Sequence, residues 1–188
     1  SFPIIEKLFS HFAKNKTLIA FNPSKHYLEM GIKKLEPLLN KTKVVILNRE
    51  EASYLTKIGY DKEKEIFRRL DKAVKGIAVM TEGPKGLVIS DGKIIYRAGI
   101  FKNRKVVDRT GAGDAFGSGF VAGIMRSLNA KPYTLNSDSM KYAIRLGLAN
   151  ATSVIERIGA KEGIITKSEF QNSNRWKKIS IKTAKIGN

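Results

Sequence analysis

The residues best arrayed for chemistry are Val106-Val107-Asp108-Arg109-Thr110-Gly111-Ala112-Gly113-Asp114-Ala115-Phe116. Two β-branched residues lead into a polar turn with two glycines, and a helix of small residues is predicted from Ala115 to about Leu128. Gly111 and Gly113 allow positive φ and let the backbone approach a ligand with no Cβ in the way. Successive N–H groups can then face one concavity. The first N–H groups of the helix lack intrahelical partners and lie at the positive end of its dipole, so a phosphate is favoured there. Gly111, Ala112 and Gly113 are therefore a candidate anion hole. Asp114 stands where the helix should begin, and two roles are open to it: an N-cap that accepts one of the free N–H groups, or a general base beside a bound phosphate.

The stretch is not a Walker A loop, since no Lys-Ser/Thr follows the glycines, and it is not a dinucleotide fingerprint, since Phe116 stands where the third glycine belongs. It resembles the second signature of the PfkB (ribokinase-like) family of carbohydrate and nucleoside kinases, Asp-Thr-Thr-Gly-Ala-Gly-Asp-x-Phe. Six of the seven leading positions match, with Arg109 replacing a Thr. Six such matches arise by chance in about one chain in 10⁵ of this size. The resemblance implies transfer of the γ-phosphoryl group of ATP to a hydroxyl of a sugar or nucleoside, with Asp114 as catalytic base over the anion hole.

The elements that must position these residues read as strand–helix–strand units. Pro3 to about Asn15 is an amphipathic helix, with Ile4, Ile5, Leu8, Phe9 and Phe12 at helical spacing. Thr17–Phe21 is a buried strand closed by Asn22-Pro23; a helix from about Tyr27 to Leu39 and the strand Val44–Leu47 follow. Lys62–Val74 is a second crossover helix, Ile77–Met80 a third strand, and Leu87–Ser90 with Lys93–Tyr96 a hairpin about Asp91-Gly92. Asn136–Arg157 is a long helix with Gly159 as its C-cap. Crossover units imply a parallel sheet covered by helices, and the resemblance implies a ribokinase-like three-layer α/β/α fold, mainly parallel with a β-hairpin. Residues 1–166 are expected as the nucleotide-binding portion and 167–188 as a basic carboxyl-terminal tail.

Three further sites lie at strand or helix ends. Asn48 and Glu51 follow the second strand, at the edge where open α/β sheets bind ligands. Read alone they are a capping-box variant; the resemblance makes Asn48 a nucleotide-site residue and Glu51 a residue that orders Mg²⁺ through water. Thr81-Glu82-Gly83-Pro84-Lys85-Gly86 reads as a turn, and the resemblance implies that Thr81, Gly83 and Gly86 meet the nucleotide. Lys85 adds a cation within reach of a phosphate. Asn150 matches an Asn that borders the adenine in the family. For Asp108 the resemblance implies a monovalent cation site, as some members of the family have, with K⁺ as the ion; read alone the residue serves equally as a cap for its own turn. His11 and His26 have no partner at metal spacing.

Composition sets the outer bounds. A chain of 188 residues, 42 % hydrophobic and 28 % charged, is globular and long enough for one core. It has no Cys, which excludes disulfides and thiolate metal sites. No apolar run approaches 18 residues and no signal pattern opens the chain, so neither membrane nor secretion is suggested and a cytoplasmic location is expected. The net charge of +18 raises a nucleic-acid reading, but the basic residues are spread along the chain and mostly Lys, so a solvated surface that attracts nucleotides is the stronger one. A catalytically silent nucleotide-binding module is the other alternative. The matched motifs belong to the nucleotide half of the family, and the Gly-x-Asp, Gly-Gly and lid segments that hold the sugar are not found; the first residue is Ser. The chain is therefore expected to be the carboxyl-terminal portion of a kinase, inactive without its amino-terminal part, with homodimerisation left open.

Overall fold

The computed structural model describes residues 2–102, 105–128 and 135–186. Two compact units emerge, one of residues 1–97 with 182–188 and one of residues 98–181.

The first unit is built on a six-stranded sheet in the order β1-β2-β3-β4-β5-β6. Its strands are β1 (Ala20–Phe21), β2 (Val44–Asn48), β3 (Ile77–Thr81), β4 (Leu87–Ser90), β5 (Ile94–Ala98) and β6 (Ile181–Lys185). β1, β2 and β3 run parallel, as two crossover connections require, and β3 and β4 run antiparallel across a tight turn. The sheet is thus open and mixed. Its helices are α1 (Phe2–Lys14), α2 (Lys25–Glu29), α3 (Gly31–Leu39), α4 (Arg49–Thr56) and α5 (Glu63–Ala73). Leu35, Leu38, Leu47, Leu55, Leu70 and Met80 have no exposed surface and form the centre of the core. Each such side chain contributes about 1.5–3 kcal/mol of apolar burial.

Two sequence expectations are corrected here, and the carboxyl-terminal region gains detail. The single helix over 27–39 is two, because Gly31 takes φ +74 and interrupts the α-helical hydrogen-bond ladder. The first strand is reduced to Ala20–Phe21: it lies at the sheet edge, Leu18 is 57 % exposed, and the Ile19 carbonyl accepts from Lys43 N (2.8 Å). The region from 167 onward carries regular structure, ending in β6, where Ile186 N donates to Lys93 O (2.9 Å). Residues 187 and 188 of the expected tail lie outside the described residues.

The second unit is a helix pair with a carboxyl-terminal cover. α6 (Ala112–Leu128) and α7 (Ser137–Val154) pack closely at small residues. A Cβ on Gly123 would stand 2.5 Å from Ala143 Cα, and one on Gly147 would stand 2.8 Å from the Phe116 ring. Phe116 and Phe120 stack with centroids 5.8 Å apart, and both are buried. α8 (Lys167–Asn172) opens with a complete capping box between Thr166 and Glu169. The 3₁₀ turn at 174–177 seats Trp176, 6 % exposed, edge-on to Phe101 at 5.3 Å.

α7 ends at Val154, so Gly159 is not its C-cap. The reason lies in the Ile155 carbonyl, which accepts from Val107 N (2.8 Å) and Asp108 N (3.3 Å). Those bonds hold the end of α7 to the segment that leads into the Gly-rich turn.

Candidate active site

In the second unit, α6 begins at Ala112 rather than Ala115. This moves Asp114 from the expected N-cap position into the first helical turn, where an acidic side chain complements the dipole. Its carboxylate is exposed. Gly111 precedes the helix with φ +76, and a Cβ on it would meet Ala160 O at 2.6 Å and Ala160 Cα at 2.8 Å. Only glycine fits this position, for its conformation and for its packing. Gly113 is different: its φ is not left-handed, and a Cβ there would meet nothing within 4 Å. The helix ladder starts when Ala115 N donates to Gly111 O (2.8 Å). Among the described residues, nothing accepts from the N–H groups of Gly113 and Asp114. Two free donors, an open face and an exposed carboxylate therefore share one helix turn.

Asp108 fixes this turn. Its Oδ1 accepts from Thr110 N (2.9 Å), its Oδ2 from Gly159 N (3.3 Å). The Thr110 N–H, the Thr110 hydroxyl and then the Gly159 N–H hold the carboxyl below the usual Asp range, because each bonds the ionised form. Asp108 thus caps its own turn and ties it to the segment after α7. Asn150 lies on the inner face of α7, 5 % exposed. Its Nδ2 donates to Ala115 O (3.0 Å) and its Oδ1 accepts from Ile165 N (3.0 Å). Two of the four hydrogen-bonding positions of this amide are thus used within the protein.

In the first unit the carboxyl ends of the parallel strands gather the other predicted residues. Asn48 and Thr81 are register partners at the ends of β2 and β3. Asn48 caps α4 in a full capping box: its Oδ1 accepts from Glu51 N, and Glu51 Oε2 accepts from Asn48 N, both at 2.8 Å. Glu51 Oε1 takes no part in the box. The turn after Thr81 is a 3₁₀ segment, Gly83–Lys85, closed by Glu82 N donating to Gly86 O (2.8 Å). Gly83 and Gly86 both have positive φ, and the space beside Gly83 is open. Lys85 lies on the same turn.

One feature of this edge escaped the sequence reading. Arg49, next to Asn48, pairs with Glu82, next to Thr81, and lies 3.6 Å from Glu63, which in turn pairs with Arg97. Arg49 Nε also donates to Tyr60 O (2.8 Å), and its guanidinium sits 4.8 Å from the Tyr60 ring centroid. The hydrogen bond from Arg97, then the charges of Arg97 and Arg49, hold the Glu63 carboxyl below its usual range against its partial burial. The signal was present: once Asn48 and Thr81 are placed in parallel register, the residues that follow them are opposite charges on adjacent segments.

Among the described residues no three His, Cys, Asp or Glu side chains group as a metal cage, and no helix is long and apolar enough to cross a membrane. A set of one carboxylate and one amide, as at Glu51 and Asn48, suits a Mg²⁺ that keeps most of its water and takes phosphate oxygens as ligands.

Known proteins resemble this chain in sequence and in fold. The family model described as pfkB family carbohydrate kinase matches residues 4–167. The chain is 31 % identical over 157 residues to the cytidine kinase of Thermococcus kodakarensis, a match covering 81 % of this chain and 51 % of that protein. The crystal structure of a probable sugar kinase from Rhizobium etli superposes with a TM-score of 0.74 at 26 % identity, over 89 % of this chain and 48 % of that one. The structure of Arabidopsis thaliana ribokinase complexed with ribose and ATP superposes with the same TM-score at 19 % identity, over 92 % and 52 %. The fold is therefore the ribokinase-like α/β fold, and the chain spans about half the length of the relatives it matches. With the Gly-rich turn opening α6 and the capped strand edge both in place, the chain belongs to the pfkB family of carbohydrate kinases.

Proposed function

We propose that this chain is the nucleotide-binding portion of an ATP-dependent kinase that transfers the γ-phosphoryl group to a hydroxyl of a sugar or nucleoside. The observation that carries this reading is the first turn of α6, where unpaired N–H groups and the Asp114 carboxylate lie together behind Gly111, whose positive φ suits glycine alone. In the reaction Asp114 accepts the proton of the attacking hydroxyl. The N–H groups of Gly111 and Gly113, and that of Ala112 on release from its 3.3 Å bond to Arg109 O, bind the oxygens of the transferring phosphoryl group, where charge is spread in the transition state. Thr81, Gly83, Gly86 and Lys85 line the nucleotide phosphates at the β3 edge, and Asn150 positions the adenine side by holding Ala115 and Ile165.

Asn48 and Glu51 would hold Mg²⁺ through water, and the ion would neutralise charge on the phosphates. Asp108 is the candidate for a K⁺ site, since its ionised form is already favoured. The acceptor contacts are assigned to residues equivalent to the part of the relatives that this chain does not span, and turnover requires them. A cytoplasmic setting accords with this use of ATP.

The test is Asp114→Asn in the full-length enzyme, assayed by phosphoryl transfer and by Mg-ATP titration. Turnover is expected to fall by about 10³-fold, within the range for loss of a general base, while Mg-ATP affinity stays within a factor of about three. Full activity in the variant would remove the base assignment. Mg-ATP binding without turnover in the full-length wild type would favour a silent nucleotide-binding module.

A further inference from the structure

We infer that Arg49 is a positioning residue that sets the Asn48–Glu51 cap and the Thr81–Gly86 turn at one fixed spacing for nucleotide binding. The inference rests on the nucleotide-binding reading above. Asn48 and Thr81 are register partners, and the pair formed by the residues after them, Arg49 and Glu82, joins the first turn of α4 to the β3–β4 turn. Both side chains are largely covered, 15 % and 10 % exposed. Arg49 is held from four directions: Glu82, Glu63, the Tyr60 carbonyl and the Tyr60 ring. Its Nε and Nη1 groups are engaged within the protein, and the role assigned to it is exercised through its neighbours.

The chemistry requires arginine. Lys presents a point charge and lacks the planar fork that reaches Glu82 and the Tyr60 carbonyl from separate nitrogens while lying against the ring. An isolated surface pair would contribute little. This one couples two ligand-facing segments from different strands, and a misplacement of about 1 Å in such groups costs on the order of 10²-fold in function.

The experiment titrates Mg-ATP by calorimetry into the wild-type chain, Arg49→Met, Arg49→Lys, Glu82→Gln and the double variant Arg49→Met/Glu82→Gln. Hydrogen exchange is read in parallel over residues 48–51, 81–86 and 31–39. Ile66→Val, a core change on α5, serves as a control for stability loss alone. Arg49→Met is expected to weaken Mg-ATP binding about tenfold or more, Arg49→Lys to recover only part of that, and the double variant to bind no worse than Arg49→Met. Exchange should rise over 48–51 and 81–86 and not over 31–39, while Ile66→Val binds as wild type does. Wild-type affinity in Arg49→Met, additive losses in the double variant, or a uniform rise in exchange would overturn the inference and leave the nucleotide reading standing. A wild-type chain that is folded and binds no Mg-ATP would overturn both.

Discussion

Gly111 and Gly113 lie two residues apart and tolerate a side chain very differently. Gly111 has φ +76 and no room beside Ala160, so Gly111→Ala should destabilise the protein by about 1–3 kcal/mol or more. Gly113 is the second residue of α6 with open space beside it, so Gly113→Ala should stabilise by up to about 1 kcal/mol through helix propensity. The same methyl would stand beside the donors that are to receive phosphate, so Mg-ATP affinity should fall in the variant that gains stability. Urea denaturation with calorimetric titration checks both signs. Asn150 offers a second residue-scale test. Asn150→Ala leaves Ile165 N without its partner and Ala115 O with only the Ser118 hydroxyl as side-chain donor, and should cost about 1–3 kcal/mol in urea denaturation. The motif residues were legible because each carries a backbone requirement in its own identity. The burial of Asn150 was not, since its two partners, Ala115 and Ile165, are 35 and 15 residues away.

At the scale of elements, the strands β2 to β5 were legible as short apolar runs closed by turn residues, the helices α1, α5 and α7 by apolar residues at helical spacing, and α6 by its run of small residues after the glycines. The boundaries that failed were set by tertiary bonds. α7 stops at Val154 because the Ile155 carbonyl serves Val107 and Asp108, and β6 exists because the β5 edge accepts it; neither is a local property. The charged network at the sheet edge makes a further prediction. Arg97 holds Glu63 ionised below its usual range, so the folded-state pKa is depressed. Its contribution to stability is then fully present above the unfolded value of about 4.3 and is lost as pH falls through the folded value. Glu63→Gln should lower stability at pH 7 and flatten its decline between about pH 5 and 3, as read from urea midpoints across that range.

For the molecule as a whole, family membership was legible from one stretch of sequence; the order of strands and helices gave a helix-covered sheet, and the resemblance gave the ribokinase-like fold. The net charge of +18 was legible too, but charge describes association with anions in general and says nothing of a specific site. The chain spans about half the length of its relatives, which makes nucleotide binding, rather than turnover, the property most directly open to test in it. The decisive measurement is calorimetric titration of the chain with Mg-ATP at moderate salt, beside the Gly113→Val variant, which leaves Gly111 and its packing on Ala160 untouched. Saturable one-site binding in the wild type, lost or at least tenfold weaker in a folded Gly113→Val variant, is the predicted result. Equal binding by both would contradict the assignment of the α6 turn as the phosphate cradle.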